Sequence, residues 1–116
     1  MKKLYLSCPY SHPNKAIRMH RVLCADEKAA ELMEDGYLVF SPLSHSHSIS
    51  EYCEVGPQDH DFWLRQDLWI LRICDEIHVL CLEGWLDSKG LIKEVDLALE
   101  LGMSIIYHHT IKGRSI

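Results

Sequence analysis

Two carboxylates stand where amphipathic helices would place apolar side chains, and they are the residues with the most chemistry to offer. In the run from Lys89 to Leu101, the residues Leu91, Ile92, Val95, Ala98, Leu99 and Leu101 share one broad face at about 100° per residue. Lys93, Asp96 and Glu100 gather on the other side, yet Glu94 projects between Ala98 and Leu101. One helix earlier, Asp67 falls inside an apolar arc of Phe62, Trp63, Trp69, Ile70, Leu71, Ile73 and Cys74. A buried, unpaired carboxylate is costly, so each needs a partner or a task. Two carboxylates in one cavity can divide the work, one as an ionised nucleophile, the other accepting hydrogen bonds or holding a proton. The same pattern also selects Asp26 on the first helix. Carboxylates at helix-packing edges can equally reach water with their tips, so position alone leaves both readings open.

The elements that must position these groups follow from periodicity and punctuation. Leu4–Cys8 reads as a first strand ended by Pro9, and residues 15–34 as a helix closed by Asp35-Gly36. The apolar stripe expected on that helix is Met19, Val22, Leu23, Ala29, Ala30 and Met33. Tyr37–Phe40 is a second strand, stopped by Ser41-Pro42. Residues 43–56 are rich in His and Ser and show no regular period. A second helix is expected over 57–74, with Pro57 near its first turn, then a strand over 77–82, a helix over 89–101 and a strand over 104–107. The tail, 108–116, is expected to be loose.

Such alternation predicts an α/β fold: a three-layer, flavodoxin- or Rossmann-like domain with a parallel sheet of about four strands and helices on both faces. Right-handed crossovers favour strand order 2-1-3-4. Ligands in such sheets bind beyond the carboxyl ends of the strands, here at Ser7–His12, Ser41–Ser50 and Glu83–Ser88.

A length of 116 residues suits one domain, and 47% hydrophobic with 25% charged residues is ordinary for a globular chain. A formal net charge of −5 argues against a groove for a nucleic-acid polymer, which would need a basic stripe. Five cysteines (Cys8, Cys24, Cys53, Cys74, Cys81) form an odd set with no CxxC pair, read as reduced thiols in a cytoplasmic compartment. Met1-Lys2-Lys3 leads into a short strand rather than a long apolar run, so neither a signal peptide nor a membrane span is expected.

Tyr5-Leu6-Ser7-Cys8-Pro9-Tyr10, Asp67, Cys74-Asp75 before the third strand, and Asp87-Ser88 followed by Glu94 resemble the nucleoside 2-deoxyribosyltransferase superfamily through almost the whole chain. The likeness is greatest to a small branch of uncharacterised bacterial and phage proteins that keep the Cys-Pro-Tyr-Ser opening. The resemblance implies that Glu94 attacks the anomeric carbon of the sugar and displaces the base, with Tyr5 orienting it. It implies that Asp67 and Asp87 contact the sugar or the leaving base, and that Ser7 and Ser88 are the nearest matches to phosphate-binding serines. It also implies a homo-oligomer. A carboxylate close to an oxocarbenium-like centre suits N-glycoside cleavage, an acid near the base eases its departure, and Ser88 opens a helix whose free N–H groups suit a phosphate. No cofactor or metal is required. The chain departs from the family pattern at Cys8, Lys89-Gly90 and Asp96, where glycine, Gly-Thr and glycine are common.

Other polar groups near the strand ends carry weaker signals. His12, His45 and His47 are candidates for touching a phosphate or base, with Cys8 and Pro9 shaping the same edge. Trp85 stands before Asp87, where it can stack on a nucleobase or simply pack its loop. Trp63 and Trp69 have helical spacing, which points to core or dimer contact. His45, His47, Cys53 and His60 are zinc-ligand types, but their spacing fits no standard finger. Cys8 with His12 is a possible thiol nucleophile, although Cys8 reads better as a packed small residue. The expected activity is therefore cleavage or transfer at the N-glycosidic bond of a nucleoside or nucleoside 5′-monophosphate. The alternative is a nucleotide-binding module of the same fold without catalysis, and a third reading is an interaction domain with no small-molecule site.

Overall fold

Side chains alternate across β1 (Lys3–Ser7), and that alternation divides the interior in two. The computed structural model describes residues 1–116. Leu4, Leu6 and Cys8 enter a core with Cys24, Ala25, Ala29 and Leu32 of α1 (Lys15–Glu34). Tyr5 lies on the opposite face, in a cluster with Leu71 of α3 (His60–Leu71), Ile77 of β3 (Glu76–Leu80) and Ala98 of α4 (Lys89–Glu100). With β2 (Leu38–Phe40) and β4 (Ser104–His108), the strands form a parallel sheet of order β2-β1-β3-β4, as expected. Helices cover both faces. Parallel pairing places Ser7 beside Val79 and Tyr5 beside Ile77, so the carboxyl ends of β1 and β3 emerge together. No helix is long and apolar enough to cross a membrane.

The structure departs from the expected elements at five points, the last of them the C-terminal tail. Residues 42–50, within the segment read as irregular, form α2 (Pro42–Ser50), which begins after Ser41 with Pro42 in its first turn. Of its residues only Pro42 is buried, so α2 carries little apolar periodicity to detect. The helix expected from Pro57 starts at His60, because the Asp59 carboxylate caps it by accepting the Phe62 N–H at 3.2 Å. The stripe of α1 is rotated: Met19, Leu23 and Met33 are exposed, while Arg21 and Lys28 are buried beside Val22, Ala25 and Leu32. Asp26 is exposed and leaves the list of inward carboxylates.

The tail is not loose. β5 (Thr110–Ile111) and β6 (Arg114–Ser115) pair as a hairpin through Lys112 and Gly113, both at positive φ. Ile111 is fully buried in the α1-side core, and the buried Lys28 ammonium donates to Thr110 O at 3.0 Å. The apolar contact and the ammonium bond fasten a segment whose polar composition hides them.

Candidate active site

Ser88 ends the 3-10 turn Trp85–Asp87 and caps α4, its hydroxyl accepting the Leu91 N–H at 3.4 Å. From that start, Glu94 lies on the helix face that packs against the sheet, with only 6% of the residue exposed. Beneath it, Tyr5 and Ser7 project from the same face of β1. The Tyr5 hydroxyl donates to Glu94 Oε2, and the Ser7 hydroxyl donates to Oε1 at 2.7 Å. Burial and the Glu94 charge hold the Tyr5 phenol well above its usual range, so it remains a donor. Both carboxylate oxygens are thus fixed by donors from one strand.

Burial pushes the Glu94 carboxyl up to about 7, against the stabilising pull of the Tyr5 and Ser7 hydrogen bonds; the charge of Asp67 adds to the rise. Asp67, on the inner face of α3, is also buried, and burial raises it to about 7. Its Oδ1 has no hydrogen-bond partner. The pair is therefore unequal. Hydrogen bonds favour the charge on Glu94, while nothing comparable supports it on Asp67. When the two hold one proton between them, it belongs on Asp67.

Both carboxyls line one cleft, with Cys8, Tyr10 and Ser11 after β1, Ser46, His47 and Ser50 from α2, His60, Trp63 and Leu64 from α3, and Ser88, Gly90 and Leu91 from α4. Of the substrate-site residues expected from the sequence, Glu94, Asp67, Cys8, His47 and Ser88 meet in this cleft, while Tyr5 and Ser7 hold Glu94 from below; Trp63, expected in the core or a dimer contact, lines the cleft instead. The Cys8 thiol is pushed well above its usual range by burial, which keeps it protonated and unlike a nucleophile. Pro9 is buried behind it.

The remaining candidates lie elsewhere. Asp87 is exposed on the 3-10 turn and does not line the cleft. Trp85 is half-buried, packs its ring on Tyr107 with centroids 5.6 Å apart, and does not line the cleft. His12 turns back to accept the Asn14 N–H at 2.9 Å. His45 is exposed against the Phe40 ring. Trp69 is 58% exposed rather than a core residue. His45, His47, Cys53 and His60 do not converge, and no three His, Cys, Asp or Glu side chains come together to hold a metal ion.

Tyr10, Ser11 and His60 were not assigned to the substrate site from sequence. Tyr10 and Ser11 lie within the predicted strand-end edge, and the Tyr10 hydroxyl meets His47 Nδ1 at 3.1 Å. The contact joins residues that are distant in sequence, so no local spacing announces it. His60 carried only the zinc-ligand signal.

A family model described as "Domain of unknown function (DUF1937)" matches residues 2–110. No curated protein matches the sequence. Among solved structures, a 2-deoxyribosyltransferase from the psychrotolerant bacterium Bacillus psychrosaccharolyticus is similar, with a TM-score of 0.60 and 21% identity over 90% of this chain and 70% of that one. That likeness supports a shared α/β fold.

Proposed function

This chain belongs to the DUF1937 family, and we propose that it acts on the N-glycosidic bond of a nucleoside or nucleoside 5′-monophosphate, cleaving the bond or transferring its sugar. The observation that carries this reading is the buried Glu94 carboxylate, held on both oxygens by Tyr5 and Ser7 in a cleft it shares with the partnerless Asp67. In the reaction, a Glu94 oxygen bonds to the anomeric carbon as the carbon–nitrogen bond breaks and its electron pair leaves with the base. Asp67 supplies the proton that neutralises the departing base. Water, or a ring N–H of a second base, then gives its proton back to Asp67 as it attacks the anomeric carbon and releases Glu94 as the carboxylate. The similarity to a 2-deoxyribosyltransferase supports the substrate class at the level of fold alone. Ser88 and Gly90 at the start of α4 offer a polar end of the cleft for the sugar or its phosphate. Asp87 takes no part in this scheme.

Incubation with a panel of deoxynucleosides and their 5′-monophosphates, followed by chromatography, should show free base. A second base in the mixture separates transfer from hydrolysis by the appearance of a new nucleoside. Glu94→Gln should release none, and base release that survives this substitution unchanged removes Glu94 from the role of nucleophile. Binding of these compounds without any release would instead identify a nucleotide-binding module. The five free cysteines suit a reducing, cytoplasmic setting. The exposed Trp69, Ile73, Leu99 and Leu101 on α3, α4 and the turns after them support a homo-oligomer. Light scattering should then give a mass at a multiple of 13.5 kDa.

A further inference from the structure

Arg21 is a buried arginine on α1 with no carboxylate in ion-pair range. A buried charge must be solvated by something, and here three backbone carbonyls do so. One nitrogen, Nη1, donates to Tyr10 O at 3.3 Å and Ser11 O at 3.0 Å; the other, Nη2, donates to Glu83 O at 3.0 Å. Tyr10 and Ser11 follow β1, and Glu83 follows β3. A single side chain therefore ties together the loops that leave the two central strands. The fork of a guanidinium can reach both loops at once, which a lysine ammonium cannot reproduce.

The surroundings are shaped to this arrangement. Gly84 takes φ +89°, and a Cβ there would lie 2.8 Å from Arg21 Nη2. The first loop is anchored on its far side too: the Tyr10 hydroxyl meets His47 of α2, and the Ser11 hydroxyl donates to Pro57 O at 3.1 Å. Tyr10 and Ser11 both line the cleft, directly after the strand whose Ser7 holds Glu94.

We propose that Arg21 is a positioning residue for the cleft, clamping the loop after β1 to the loop after β3 and so fixing the wall formed by Tyr10 and Ser11. Its consequence for turnover rests on the reading of the cleft as the substrate site; the clamp itself does not. Hydrogen exchange read by mass spectrometry on peptides covering residues 8–14 and 82–88 tests the clamp directly in the wild type, Arg21→Lys, Arg21→Gln and Gly84→Ala. In Arg21→Gln both loops should exchange about tenfold faster or more, with sheet peptides unchanged and Arg21→Lys intermediate. Gly84→Ala displaces the guanidinium without removing it, and it should loosen residues 8–14 as well as its own loop. That variant decides the matter if Arg21→Gln fails to fold. In base-release kinetics, KM should rise about tenfold in Arg21→Gln while kcat stays within about twofold, and added guanidinium ion should restore KM. Loops that exchange as in the wild type, or a Gly84→Ala effect confined to residues 82–88, overturn the clamp. If the wild type releases no base, the proposed activity fails while the exchange data still decide the role of Arg21.

Discussion

Glu94 and Asp67 share a low-dielectric cleft with unequal hydrogen-bond support, and that inequality assigns their tasks. Two donors stabilise the Glu94 anion; Asp67 Oδ1 has none. Because Glu94 ionises while Asp67 still holds its proton, Asp67→Asn should leave the acidic limb of the kcat/KM–pH profile in place and remove the alkaline limb that deprotonation of Asp67 produces. Losing the proton donor should also reduce kcat/KM by about 100-fold. Stability should respond in the opposite sense. Both carboxyls have folded pKa values raised to about 7 from ordinary values of 4.5 and 3.8, so the native state holds more protons than the unfolded chain across that window. Their contribution is fully present below the unfolded values and is lost as pH rises through about 7. Asp67→Asn should therefore be more stable than the wild type at pH 8.5 by about 1 kcal/mol, with the difference shrinking toward pH 4. Urea denaturation at the two pH values measures it.

At the scale of elements, α4 does most to build the site, since its N-terminus, Gly90 and Glu94 all face the cleft. Its apolar period made it legible, and one charged residue out of phase with that period pointed to the chemistry. The α2 helix was illegible for the converse reason: Ser and His side chains dominate it, and its packing on α1 and β1 supplies what periodicity does not. Gly90 illustrates a conflict between stability and function. A Cβ there would meet only His60 Nδ1, at 4.0 Å, which is ordinary contact. Gly90→Ala should stabilise the protein by about 0.5 kcal/mol through helix propensity, while the added methyl narrows the cleft and raises KM. Thermal unfolding and base-release kinetics on the same preparation should show these opposite effects.

Across the whole molecule, the α1-side core is completed by residues far apart in sequence. Ile111 of the terminal hairpin packs with Leu4, Leu6 and Leu32, and Lys28 reaches Thr110 from α1. The exposed Arg114–Glu27 ion pair adds little by comparison. Ile111→Ala should cost about 2–4 kcal/mol, lowering the urea midpoint without changing the slope of the transition. Removing residues 110–116 should destabilise the fold at least as much. A tail that could be cut without effect would show that the hairpin does not complete the core.

The sequence by itself determined the order of strands, because alternating strand and helix patterns with short connections admit few right-handed arrangements. It also singled out Glu94 and Asp67, since a carboxylate among apolar residues at helical spacing is an anomaly that needs no coordinates. Tertiary structure alone decided which residues meet. The resemblance had paired Tyr5 with Glu94, but that Ser7 holds the other Glu94 oxygen and that Tyr10 reaches His47 follows only when parallel pairing aligns the strand ends. Trp85 and Asp87 turn away because a 3-10 turn, not an open loop, carries them. Arg21 carries no signal in the sequence, for its partners are backbone carbonyls, which every residue carries and no side-chain pattern reveals.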